Sequence, residues 1–133
     1  MREEFQQLAD LRVEEAAILA ANSKQQGAYY LAGLAVECAL KACIAKKTKQ
    51  NQYPPKNTSH HYDHNLDVLL NLAELRRELD DEIRRSREFA NNWDTVHDWS
   101  VEKRYEVTAL KGTEMVAAVN SARGVLQWLK QYW

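Results

Sequence analysis

The stretch Ala28-Tyr29-Tyr30-Leu31-Ala32-Gly33-Leu34-Ala35-Val36-Glu37-Cys38-Ala39-Leu40-Lys41-Ala42-Cys43-Ile44-Ala45 decides the fold class. Only Gly33, Glu37 and Lys41 in it are not hydrophobic. A helix that is apolar nearly all round is buried on most sides. The three exceptions stand at i, i+4 and i+8 and so share one stripe, and Glu37 ahead of Lys41 is the favoured order for an i,i+4 ion pair. With Ser23 as an N-cap, the pattern predicts the central helix of a bundle from about Lys24 to Lys47, with one polar line down it. The same two charges argue against a membrane span, which needs ~20 residues nearly free of charge.

Outward from that helix the chain reads as more helix. Helix 1 is predicted over about Glu3 to Ala21, with Leu8, Leu11, Ile18 and Leu19 on its apolar side and acids in its first turn, where the helix dipole favours them. Asn22-Ser23 is the break. Thr48 to Asp63 is polar, holds the adjacent Pro54 and Pro55, and reads as a loop long enough to be either functional or mobile. A short helix 3 is expected over about Asn65 to Arg77. Helix 4 starts near Leu79, with Leu79, Ile83, Ser86, Ala90 and Trp93 at a 4-3-4-3 spacing. Asp94 to Leu110 has no clean period and reads as a helix end plus connector. Helix 5 begins near Gly112-Thr113, and Met115, Val119, Ala122, Leu126, Leu129 and Trp133 form a bundle-facing seam. The expected architecture is all-α: one domain over 1–133, an up-and-down bundle of four main helices plus one short helix.

Composition agrees. In 133 residues there are only 4 Gly and 2 Pro, too few breakers for a sandwich or barrel, which needs a turn every ~8–12 residues. Lys and Arg number 18 against 19 Asp and Glu, a net charge of −1. That excludes nucleic-acid binding by bulk electrostatics and leaves only a local patch. Cys38 and Cys43 are five residues apart, which turns their side chains about 140° from each other on a helix. They read as small core residues of a reducing compartment rather than a disulfide. The N-terminus has no apolar run of the kind a signal peptide carries. The expected location is the cytoplasm, with no membrane partner.

Four constellations carry chemistry. His60, His61, Asp63 and His64 have metal-ligand side chains, but no i,i+4 helical pair and no nearby cysteine. Asp63 or Asn65 capping helix 3 beside surface histidines explains them better, so neither a metal nor a cofactor is expected. Glu37 and Lys41 either line a polar pocket between helices or form an ion pair at a groove or subunit contact. The run His97-Asp98-Trp99-Ser100-Val101-Glu102-Lys103-Arg104-Tyr105 offers an imidazole, two aromatics able to stack on bases and an arginine able to fork onto phosphate. It reads equally as a packed connector in which Trp99 and Tyr105 fill core. Lysines 41, 46, 47, 49 and 56 make an acid-free basic run, better read as a solvated surface than as a phosphate track. There is no Gly-rich phosphate loop and no nucleophile in a recognisable setting.

The segment Gly27 to Ala42 resembles the signature helix of HEPN domains (higher eukaryote and prokaryote nucleotide-binding). His64-Asn65-Leu66 opening a short helix, and Trp99-Ser-Val-Glu-Lys-Arg104-Tyr105 ahead of the last helix, extend the likeness over about Phe5 to Leu129. The resemblance implies a helical bundle that commonly forms a homodimer. It also implies a nucleotide-, RNA- or partner-binding role, as in the HEPN half of a toxin–antitoxin pair with a small nucleotidyltransferase. Glu37, Lys41, Trp99, Arg104 and Tyr105 are the matched positions expected near a ligand-binding polar groove. Other members are metal-independent ribonucleases with an Arg-x(4–6)-His motif completed across the dimer. Here the positions five to seven residues before His97 hold Asn92, Asn91 and Ala90, and no histidine has an arginine at that spacing. A ribonuclease with a diverged site, using His97 with Arg87 or Arg104 on phosphate, is the rival expectation. A purely structural subunit that scaffolds a nucleotidyltransferase is a third.

Overall fold

The computed structural model describes residues 1–50, 64–107 and 109–133. The rest of the predicted loop, with His60, His61, Asp63 and Lys56, lies outside the described residues. Seven α-helices are present among the described residues: α1 (Arg2–Ala21), α2 (Gln25–Gln50), α3 (Leu66–Leu72), α4 (Arg76–Arg85), α5 (Arg87–His97), α6 (Gly112–Asn120) and α7 (Val125–Leu129). A 3-10 turn, Val101–Tyr105, sits between α5 and α6, and no strand occurs among the described residues. The all-α class expected from the sequence is what folds.

α2 is the axis: α1, α3, α6, α7 and the 3-10 turn all pack on it. From Ala35 to Cys43 every residue of α2 is buried, including Glu37 and Lys41. By length and composition α2 could cross a membrane, but most of its apolar surface is taken up by this bundle.

Side-chain contacts set the helix directions. Arg2 Nη2 donates to the Trp133 carbonyl oxygen at 2.9 Å, and the Cys43 thiol faces the Leu129 carbonyl oxygen at 3.9 Å. The start of α1, the end of α2 and the end of α7 therefore share one end of the bundle. At the other end the Thr113 N–H donates to Gln25 Oε1 at 2.8 Å. So α1 runs against α2, and α6–α7 runs with it. α5 runs against α6–α7: Phe89 and Trp128 rings lie 5.3 Å apart, and Asn92 Nδ2 donates to the Arg123 carbonyl oxygen at 3.0 Å. The four main rods are α1, α2, α4–α5 and α6–α7, with α3 as the short helix.

Two of the rods are broken where the sequence pattern reads as continuous. Ser86, expected on the apolar stripe of helix 4, is instead the N-cap of α5: its backbone is extended (φ −138°, ψ 114°) and its hydroxyl accepts from the Phe89 N–H at 3.1 Å. The break rotates the rod so that Phe89, Trp93 and Val96 enter the core. The last rod is interrupted between Asn120 and Val125, which leaves Ala122 exposed and buries Val125, Leu126, Trp128 and Leu129.

Other boundaries shift by less. Ser23 takes the left-handed conformation (φ 63°) that closes α1 rather than capping α2. The end of α2 absorbs Thr48 to Gln50, which were expected in the loop. Glu74, also left-handed (φ 58°), ends α3 early and passes Arg76 and Arg77 to α4.

Candidate functional site

The polar stripe of α2 is where the distant parts of the chain meet. Gly33 is occupied from above by Trp99: a Cβ on Gly33 would lie 2.2 Å from the indole Cδ1 and Nε1. The indole N–H donates to the Tyr30 carbonyl oxygen at 3.2 Å, and its ring lies 5.8 Å from the Tyr30 ring. The missing side chain at Gly33 therefore makes a seat that anchors the start of the connector onto α2.

One turn along, Glu37 is 3% exposed and Lys41 8%. Lys41 Nζ donates to Glu37 Oε2 at 3.0 Å, which is the expected i,i+4 pair. Glu37 Oε1 faces His64 Nδ1 at 2.9 Å. A carboxylate whose two oxygens are engaged by an ammonium and an imidazole meets the condition under which a buried charge is tolerated.

His64 directly precedes α3. Asn65 caps that helix, its side-chain oxygen accepting from the Asp67 N–H at 2.9 Å and the Val68 N–H at 3.2 Å. The cap fixes the backbone on either side, presenting His64 to α2 and Asp67 to α5. Asp67 Oδ2 meets His97 Nε2 at 2.7 Å, and its Oδ1 accepts from Arg76 Nη2 at 3.2 Å. Burial raises the Asp67 carboxyl, but the hydrogen bonds and charges of His97 and Arg76 outweigh it and hold the group below the usual carboxylate range. The His97 ring also packs on Trp93, centroids 5.4 Å apart.

These side chains open onto a cleft of about 330 Å³, lined by His64, Asp67, His97, Trp99, Ser100 and Glu102 among others. Each imidazole is held by a carboxylate at one ring nitrogen. Since an ionised carboxylate only accepts, the proton sits on His64 Nδ1 and on His97 Nε2, and the other nitrogen of each ring has no hydrogen-bond partner among the described residues. Both side chains are about half exposed.

Of the residues expected at a polar groove, Glu37 and Lys41 are buried and do not line the cleft; Glu37 touches the lining residue His64, and Lys41 touches Glu37. Trp99 contributes to the lining from a buried position, and His97 lies on the cleft. Tyr105 is 71% exposed at the end of the 3-10 turn and does not line the cleft. The backbone of Arg104 belongs to that turn, while its side chain lies outside the described residues. Asp67 and Arg76 were not singled out by sequence. The available signal was the Asn65 cap, which makes residue 67 a first-turn acid facing whatever packs beside α3.

The cysteines are both free and buried. Burial pushes the Cys38 thiol up to about 11, the Glu37 charge adding to the effect, and burial likewise pushes Cys43 up to about 12. Neither is a nucleophile near neutral pH. No group of three or more His, Cys, Asp or Glu side chains suited to a metal ion occurs among the described residues. No family model, curated protein or solved structure matches this chain.

Proposed function

We propose that this chain is a HEPN-like module that binds a nucleotide or a short single-stranded RNA segment in the cleft between α3, α5 and the 3-10 turn. The observation that carries the reading is convergence. The three sequence segments behind the resemblance are far apart in the chain, yet Glu37 meets His64, Gly33 seats Trp99, and His64 and Trp99 share one polar cleft. A cleft of that size with a few convergent polar groups suits a small ligand or a nucleotide-sized piece of a chain. The module works as a cytoplasmic homodimer, and its partner is the small nucleotidyltransferase of a toxin–antitoxin pair. Leu11 and Ile18, exposed seven residues apart on α1, offer apolar surface for a second copy.

The test is fluorescence anisotropy with a labelled RNA hexamer and competition by ATP and AMP. Binding weakened at least tenfold in Arg104→Ala and in His97→Ala is the expected result. No binding of RNA or nucleotide at millimolar concentration overturns the reading. Light scattering should give twice the monomer mass, falling to the monomer in Ile18→Glu.

A second reading, a metal-independent ribonuclease with a diverged site, is favoured by one observation: His97 faces the cleft with one ring nitrogen fixed by Asp67. It requires RNA cleavage that EDTA does not inhibit and that His97→Ala abolishes.

A further inference from the structure

We propose that His64 is the second proton-handling residue of this cleft, paired with His97, so that one chain carries both halves of an acid–base pair acting on an RNA phosphodiester. The inference rests on the RNA-binding reading and takes its ribonuclease variant one residue further. Its basis is a duplication. Two relays of the same order, imidazole to carboxylate to cation, His64–Glu37–Lys41 and His97–Asp67–Arg76, reach the same cleft from different elements. In each, a cation holds a carboxylate, the carboxylate holds one imidazole nitrogen, and the ring's other nitrogen is left for chemistry. A carboxylate behind a histidine fixes its tautomer and its orientation, which is what a proton-transfer group needs.

Two such groups are what phosphodiester transesterification requires, and imidazole is the side chain that can give or take a proton near neutral pH. One imidazole, neutral, takes the proton of a ribose 2′-hydroxyl. The 2′-oxygen forms a bond to phosphorus, the bond from phosphorus to the 5′-oxygen breaks, and the other imidazole, protonated, gives its proton to that leaving oxygen. The products are a 2′,3′-cyclic phosphate and a 5′-hydroxyl. Atoms and protons balance, and the two rings exchange roles if water then opens the cyclic phosphate. Glu37 and Lys41 are positioning residues: they lie behind His64 and touch no substrate.

The competing account is that His64 only staples α3 to α2. Asparagine separates the two, because its amide N–H can replace the Nδ1–H bond to Glu37 but cannot transfer a proton at neutral pH. The experiment uses the full chain, a fluorescent mixed-sequence RNA hexamer, the same hexamer with 2′-O-methyl riboses, and EDTA throughout. It is run on wild type, His64→Asn, His64→Gln and His97→Gln, all purified alike and each melted to check folding. Expected are cyclic-phosphate products from RNA only and a bell-shaped pH profile. Rates should be ~10²–10⁴-fold lower in all three variants, each retaining one limb of the profile.

RNA that is bound but left intact by wild type overturns the inference and leaves the binding reading standing. Cleavage lost in His97→Gln but kept at the wild-type rate in His64→Asn or His64→Gln also overturns it, with a site centred on His97 remaining. Neither binding nor cleavage removes both readings.

Discussion

Gly33 and Trp99 form a pair whose value lies in what one of them lacks. Adding a single methyl group at Gly33 drives it to 2.2 Å from the indole, so the ring must leave its seat and lose its hydrogen bond to the Tyr30 carbonyl oxygen. Alanine improves intrinsic helix propensity by ~1 kcal/mol, but overpacking a dense core costs ~1–3 kcal/mol and more where the neighbour is rigid. Gly33→Ala is therefore expected to be destabilising by about 2 kcal/mol and to lower the melting temperature by roughly 5–8 °C. In Trp99→Leu, which vacates the seat, the same glycine substitution should be neutral or stabilising, and thermal melts of the four proteins close the cycle. From sequence Gly33 is legible as one of three exceptions on a buried helix, and Glu37 with Lys41 as an ion pair. That the glycine receives Trp99 is not legible, because residues so far apart in the chain carry no mutual signal in spacing. For the same reason Asp67 escapes sequence reading, since its role depends on α5 lying alongside α3.

At the level of elements, α3 is a short helix held by two side-chain clamps: His64 to Glu37 on α2, and Asp67 to His97 on α5. Isolated helices of seven residues are far below the length that is stable in water, so α3 owes its order to its cap, its buried Leu66, Leu69 and Leu70, and these clamps. The Glu37–Lys41 pair behind the first clamp gives a sharp mutational expectation. Lys41→Met leaves a buried carboxylate with one partner and should be destabilising by ~3–5 kcal/mol. Glu37→Gln combined with Lys41→Met removes both charges and should recover most of that loss, as urea melts of the two variants would register. If Lys41→Met alone melts like wild type, the pair is not the buried, mutually dependent unit described here. Helix positions were readable at this level, but the buried side of α1 was not. Leu11 and Ile18, expected on it, are exposed, and the small residues Ala9 and Ala16 with Val13 pack inward instead, because close contact with α2 favours small side chains. The breaks at Ser86 and after Asn120 were not readable either: serine at a stripe position fits a continuous helix and a cap equally well, and only the packing of Phe89 against Trp128 decides between them.

For the molecule as a whole, charge sets two measurable dependences. The Asp67 carboxyl sits below its ordinary value, because the His97 and Arg76 hydrogen bonds and charges prevail over burial. A carboxylate lowered in the folded state adds stability that is fully present above its unfolded pKa and is lost as pH falls through the folded one. Wild type should therefore melt above Asp67→Asn at about pH 7, with the gap closing as pH falls below the ordinary carboxylate range. A gap that stays constant over that range would mean that the contacts of Asp67 are not electrostatic. The second dependence concerns ionic strength. With 18 basic against 19 acidic residues the chain has no net attraction for a polyanion, and Glu102 adds an acid to the cleft rim. No Lys or Arg is among the described lining residues, so RNA held there has the one protonated imidazole of the proposed pair and the proposed binder Arg104 as its cationic contacts. About two phosphate contacts give a slope of about −1.4 in log affinity against log salt for a single strand. A titration from low to physiological salt should return that shallow slope, and Glu102→Gln should tighten binding a few-fold without steepening it. A slope of about −4 or beyond would instead require six or so phosphate contacts. It would move the binding surface from this cleft to the lysines at the end of α2, where Lys46 and Lys47 lie beside Glu74 and Glu78.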